Sequence, residues 1–485
     1  MKKIIATILI AGSFSSCDVL DQAPRTSVSP SNFYQTVDDA EAVLASAYDA
    51  FQEGDGGYYG FRIHALNEMT SDNCTTVNPD VAELDNLTWN SSSYTINQIF
   101  GQLYIAVNRA NAIIAYVPGI SAAPQERKDQ IVGEAHFLRA LHYFNLVQIF
   151  GDVPLRTEPS ESGTTEEVAL PRNSVEEVYE QIISDLLMAE QLTAETYNDR
   201  VIDRAHATKR TVNALQAKVY LTLQNWAEAR TAAGKVLNGG YTLQDFAAQF
   251  PPDNQDESIF EIQFSGADDG GFILPDLVLP SPPASYSFAK FDIPTTELIS
   301  YADTVNDLRW KYTGENIFGG RNHVSFINNG AGEGNDDGYF IFKWRNTNFF
   351  NSTDNFCVLR LADVILMYAE ASNEELGPNA DALEKLNDIR VRAGLTALTL
   401  TNLPSKEVFR NEVDRQRRLE LAFEGHRWFD LLRYEAHEAA GGEHEVTALD
   451  IIEQKRGSRD RNYLVLPIPI NEINNNRSIS QNPGY

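Results

Sequence analysis

Cysteine is nearly absent from this chain: three in 485 residues, at Cys17, Cys74 and Cys357. Beyond Cys17 only two thiols remain, too few for a disulfide framework. Nothing in the spacing places Cys74 within reach of Cys357, so two buried thiols are expected. Positive charge is also scarce. Lys and Arg total 39 against 68 Asp and Glu, a formal net charge of −29. Such a surface repels nucleic acid and anionic headgroups, which argues against work on DNA or RNA. Long hydrophobic runs are missing as well. The apolar run Ile4 to Gly12 is far shorter than the roughly 20 residues of a membrane-spanning helix, and no comparable run occurs later in the chain. There is no GxSxG elbow, phosphate-binding glycine loop or Cys/His nucleophile arrangement. No pair among the 68 acids stands out for glycoside hydrolysis.

What is present begins at the amino terminus. Lys2 and Lys3 precede the apolar run, and Phe14-Ser15-Ser16 leads to Cys17. That order is a secretory signal, and its end resembles a lipobox with Phe in place of Leu. Residues 1–16 are therefore expected to be removed and Cys17 lipidated. Ordinary cleavage near Ser16, with Cys17 as a bystander, is the competing reading. Residues 17–36 lack periodicity and hold Pro24 and Pro30, so they read as a tether.

From residue 38 onward helical patterns dominate. Residues 38–53 put Ala40, Val43, Leu44, Ala47 and Phe51 on one face at i, i+3, i+4 spacing. A second helix is expected over 97–116 and a third over 124–150. The second half of the third is apolar nearly all round, the mark of a helix buried in a bundle. It should stop at Gly151, with Pro154 just beyond. Residues 208–223 with 226–238, and 359–376 with 380–393, read as two helical hairpins. Ala214, Ala217, Ala229 and Ala233 would let the first pair approach closely. Each pair resembles a degenerate tetratricopeptide unit, but long segments separate them, so a regular solenoid is not expected. Residues 241–354 are rich in Gly, Pro, Asn, Asp and aromatics, with strand-like runs at 258–264 and 339–343. A loop-rich stretch of this length is usually functional or disordered, and its many aromatics favour function.

Aromatic rings in loops are the candidate ligand contacts. A sugar's C–H face stacks on Trp or Tyr while its hydroxyls bond to polar side chains. By that reasoning Tyr58 in GDGGYYGF, Trp89 in NLTWNSSSY, Trp310 and Tyr312 in LRWKY, and Trp344 in FKWRN are selected. Partial burial is the blander reading for any one of them. Trp226 and Trp428, within helical patterns, are assigned to the core. Glu420, Glu424 and Arg427 sit at i, i+4, i+7 and could be catalytic; a structural ion-pair network is preferred, with Asp414–Arg418 an ordinary i,i+4 pair. His437, Glu438, Glu443, His444 and Glu445 crowd one loop without zinc-site spacing. Asp268, Asp269, Asp336 and Asp337 could hold calcium weakly, although the EF-hand pattern fails at Trp344. Solvated turns are the preferred reading there, and no cofactor is expected.

Four segments carry a family resemblance. Leu464-Val465-Leu466-Pro467-Ile468-Pro469, then Glu472, then Gln481-Asn482-Pro483-Gly484-Tyr485 resembles the ending of SusD/RagB-like proteins. Residues 417–433 (RRLELAFEGHRWFDLLR) look like that family's C-terminal helix. Residues 139–154 (RALHYFNLVQIFGDVP) are similar to another of its segments, and Leu20-Asp21 with Pro24 behind Cys17 matches its amino-terminal pattern. The resemblance implies a mostly α fold: a scaffold of tetratricopeptide-like helix pairs, about 37–240 and 355–485, carrying an irregular lobe at about 241–354. Residues 37–485 would form a single domain. It further implies an outer-membrane, cell-surface lipoprotein without catalysis. Such a protein binds oligo- or polysaccharide and closes as a lid over a SusC-like TonB-dependent transporter. Three readings compete: RagB-like peptide capture, a secreted glycoside hydrolase, and a helical scaffold without a small ligand.

Overall fold

The computed structural model describes residues 33–52, 57–160, 169–266, 271–280, 291–311, 324–327 and 338–485. Twelve of its helices are labelled: α1 Val37–Asp49, α2 Tyr94–Tyr116, α3 Gln125–Phe150, α4 Val175–Leu192, α5 Arg200–Ala205, α6 Lys209–Thr222, α7 Trp226–Leu237, α8 Leu361–Leu376, α9 Ala380–Arg392, α10 Lys406–Leu421, α11 Arg427–Ala439 and α12 Ala448–Arg456. Among the described residues no helix is long and apolar enough to cross a membrane.

Local chemistry sets many of the boundaries. Thr36 and Ser174 start α1 and α4 through capping boxes with Asp39 and Glu177, each satisfying two otherwise orphaned groups. The helix expected to 53 ends at Asp49, yet Phe51 is still buried beyond it. In α3 the residues from Gly133 to Val147 are all buried, His and Arg included. That is the geometry of a central rod.

The packing order is the main architectural finding. α2 lies on α3, α3 on α4, α4 on α6, α6 on α7, α7 on α8 and α8 on α9. Neighbours in sequence are neighbours in space even across the long insertion between α7 and α8. The two hairpins therefore stack directly. Ala214, Ala217, Ala229 and Ala233 are fully buried at the first of them. The insertion leaves the array undisturbed because its ends meet. Strand β2 (Ser258–Ile262) pairs antiparallel with β6 (Phe356–Arg360), setting Ser258 opposite Arg360. Between them lie β3 (Ile293–Pro294), β4 (Val324–Ile327) and β5 (Gly338–Ile341). β3 pairs with β1 (Cys74–Thr75), and β4 with β5. Cys74 and Cys357 are buried free thiols.

The segment 417–433 corrects a sequence expectation. It is two helices, not one: α10 ends at Leu421, Phe423 and Gly425 adopt φ +68° and +76°, and α11 starts at Arg427. The i, i+4, i+7 relation of Glu420, Glu424 and Arg427 thus does not lie on one continuous helix. Gly425 suits the left-handed turn because it has no Cβ.

The carboxy-terminal motif is a clamp. Asn482 donates from Nδ2 to the Phe150 and Leu466 carbonyl oxygens, 2.9 and 2.7 Å. Leu466 N donates to the Ile149 carbonyl, 2.8 Å. Two carbonyls at the end of α3, which have no partner within the helix, are answered by the chain's last twenty or so residues. Asn482→Ala should therefore lower the unfolding free energy by about 1–3 kcal/mol. A urea titration will read this as a lower midpoint at unchanged slope.

Candidate ligand-binding surface

Four of the five selected aromatics lie in the core, which corrects their assignment as ligand contacts. Tyr58, Trp89, Trp310 and Trp344 are between 0 and 4% exposed. Tyr58 lies 4.7 Å from the Tyr59 ring, and its hydroxyl is 2.8 Å from His142 Nδ1. Trp89 Nε1 donates to the Tyr485 hydroxyl at 2.7 Å, and Trp310 Nε1 to the Leu419 carbonyl at 3.1 Å. Trp344 stacks on Phe356 at 5.9 Å, with Phe272 at 6.0 Å. Tyr312 lies outside the described residues. The reason is energetic. A large aromatic buries roughly 150–250 Å2, about 4–6 kcal/mol at ~25 cal/mol/Å2. Trp344 and its neighbouring rings join the main core shared with the helices.

The exposed rings are others. Tyr94 is 62% and Phe349 65% exposed. Tyr94 opens α2, and the Arg62 guanidinium lies 6.0 Å from its ring centroid. Arg62 is itself buried and donates from Nη1 to the Gly57 carbonyl at 3.2 Å. Its cation is thus held under the ring while much of the ring stays open. Phe349 projects from a turn in which Asn348 N and Phe350 N donate to Asp276 Oδ2, 3.2 and 3.0 Å. Phe349 and Phe350 both have positive φ. Sequence reading missed both rings. Tyr94 ends the quoted stretch NLTWNSSSY, where a helix-opening position behind three serines was the available signal.

The acids near the break between α10 and α11 form a buried ion network. Arg360 Nη1 contacts Glu257 at 2.7 Å and Glu420 at 2.8 Å, while its Nε reaches Glu424 at 2.6 Å. Arg309 bonds Glu420 at 2.9 Å and Asp307 at 2.6 Å. Lys343 pairs with Glu424, and Arg392 with Glu420 and Glu257. Burial alone would raise the Glu420 carboxyl; Arg392, Arg360 and Arg309 outweigh it and hold the group well below the usual range. Glu424 is lowered in the same way, against burial, by Arg360 and Lys343. Lys343 is pushed down to about 8 by burial, partly opposed by Glu424. A glycosidase's acid must instead keep its proton near neutral pH. Arg427 joins Asp72 and Asp414, both at 2.8 Å. The expected Asp414–Arg418 pair does not form, because Arg418 turns to Glu297 at 2.6 Å and Asp72 at 3.2 Å.

The remaining candidates resolve locally. His437 Nδ1 lies 2.9 Å from His444 Nε2, and Tyr434 stacks on His444 at 4.2 Å. Burial lowers both imidazoles, His444 to about 2. No group of three or more His, Cys, Asp or Glu side chains that could hold a metal occurs among the described residues. Asp268, Asp269, Asp336 and Asp337 lie outside them, as does Cys17.

Comparison with known proteins brings these features together. The family model described as "SusD family" matches residues 300–485, and that described as "Starch-binding associating with outer membrane" matches 18–221. SusD-like protein P25 of Formosa agariphila is 27% identical, with 99% of each chain aligned. The starch-binding protein SusD of Bacteroides thetaiotaomicron is 25% identical over 90% of this chain and 87% of its own. A crystal structure of a SusD superfamily protein from Parabacteroides distasonis superposes with TM-score 0.78 at 27% identity, covering 93% of this chain and 99% of that one. A laminarin-binding SusD-like protein gives TM-score 0.75 at 25% identity, covering 93% and 100%. The matches at both ends and along the full length agree, and the chain belongs to the SusD/RagB family.

Proposed function

We propose that the protein is a lipoprotein, anchored through Cys17, that captures oligo- or polysaccharide at the cell surface. It passes the ligand to a SusC-like TonB-dependent transporter, over which it closes as a lid. In this reading residues 1–16 are removed, 17–36 form the tether, and 37–485 fold as one domain whose loop-rich lobe spans 241–354. The ligand surface centres on Tyr94, with Tyr312 retained as a contact. The observation that carries it is the exposed Tyr94 ring backed by Arg62, an open stacking platform of the kind sugar faces use. The names of two relatives support the ligand class: one is called starch-binding, another laminarin-binding.

Retention of the protein in native gels cast with laminarin, with starch or with a peptide digest tests the class. Glycan retention without release of reducing ends supports the reading. Retention by peptide alone transfers the assignment to RagB-like uptake. Truncating a central stacking ring typically costs about 2 kcal/mol, roughly thirtyfold in affinity. Tyr94→Ala should therefore weaken binding of the retained polymer by about that factor at unchanged thermal stability. An unchanged dissociation constant removes Tyr94 from the site.

A further inference from the structure

A polar pocket of about 240 Å3 opens between α5, the first turn of α6 and the Gly239–Tyr241 turn after α7. Arg200, Arg204 and Arg210 line it. Arg360 and Arg417, in the core, hold carboxylates at 2.6–2.8 Å. These three differ. Arg204 makes a single hydrogen bond among the described residues, Nε to the Gln255 carbonyl at 3.3 Å, and its guanidinium lies 4.7 Å from the Tyr241 ring centroid. Arg200 is 3.3 Å from Asp256 and Arg210 3.6 Å from Glu195, both acids being more than half exposed.

Three acids line the pocket as well: Glu195 is the loose partner of Arg210, and the other two are engaged by the chain. Asp199 caps α5, accepting from Val201 N and Ile202 N. Asp203 accepts from the Thr196 hydroxyl and Tyr197 N. The turn is shaped for the cation: a Cβ on Gly239 would stand 2.8 Å from Arg210 Cδ and Nε. Arg204 thus holds no carboxylate among the described residues, and its guanidinium faces the pocket's space beside a half-buried tyrosine. A guanidinium fork matches the paired oxygens of a carboxylate or sulfate. The protein's overall negative charge opposes such a group only weakly at contact, because exposed charges are screened beyond about 8 Å at physiological salt.

We propose that this pocket is an accessory binding site for an acidic sugar residue bearing a carboxylate or sulfate group, built from residues other than those around Tyr94. The proposal rests on the glycan-binding reading above. Calorimetry on the full-length protein with trigalacturonate, a sulfated carrageenan tetrasaccharide and neutral laminaritetraose tests it. At least one acidic probe should bind, and the arm that responds identifies the anion. Arg204→Gln combined with Arg210→Gln should weaken that probe at least tenfold and leave laminaritetraose unaffected. Arg204→Lys, which keeps charge and loses the fork, should give a smaller loss and serves if the double variant folds poorly. Equal binding of the acidic probe by parent and variants overturns the proposal. Absence of binding by both acidic probes overturns it whether or not laminaritetraose binds; the glycan reading is decided separately by gel retention on starch and laminarin.

Discussion

Arg360→Met should lower the unfolding free energy by about 3–5 kcal/mol, the cost of removing one partner from a buried ion pair. Arg360 is the hub at which β6 meets the α10–α11 break, contacting Glu257, Glu420 and Glu424 within 2.8 Å. Arg309 and Arg392 also reach Glu420, and Lys343 reaches Glu424, but none of them joins all three carboxylates as Arg360 does. The pH dependence has a definite sign. Glu420 and Glu424 have folded values below the ordinary 4.5. Their contribution is therefore complete above about pH 4.5 and is lost as pH falls through the folded values. In the variant Glu424 loses its main cation and Glu420 one of three, so both take up protons more readily. The gap between parent and variant should be full at pH 7 and shrink below pH 4.5. Urea denaturation at pH 7 and at pH 3.5 measures both. A loss under 1 kcal/mol at pH 7, or a gap that widens in acid, contradicts this account.

Cys17→Ala should move nearly all of the protein from the membrane fraction to the soluble fraction. A single acyl chain binds membranes only marginally, and stable anchoring takes more than one. Lipidation at one cysteine, in lipoproteins of the proposed kind, supplies several chains at once. Among the described residues no helix is long and apolar enough to cross a membrane, and a chain with net charge −29 gains nothing from anionic headgroups. Fractionation should use cells lacking the partner transporter, so that retention through a barrel does not mask release. Variant protein that still sediments with membranes there refutes the anchor.

The helical elements and the family were legible along the chain. Periodicity placed α3, α6 and α7 to within about two residues, since amphipathic spacing and caps act within a few turns. Four segments in order carried the family resemblance, and one of them, the ending from Leu464 to Tyr485, meets the end of α3 through Asn482. Which polar and aromatic groups face solvent depended instead on the folded chain. Trp89 is covered by Tyr485, 396 positions away, and Trp310 by α10. No local pattern encodes such a pairing. The same holds for the break at Phe423 and Gly425, where cations from distant segments, Arg309, Lys343 and Arg360, draw Glu420 and Glu424 together. A residue's helix propensity is a property of its near neighbours, whereas its exposure is a property of everything that folds over it. That is why the scaffold could be read along the chain, while Tyr94 emerged as the open ring only once the chain had closed around the others.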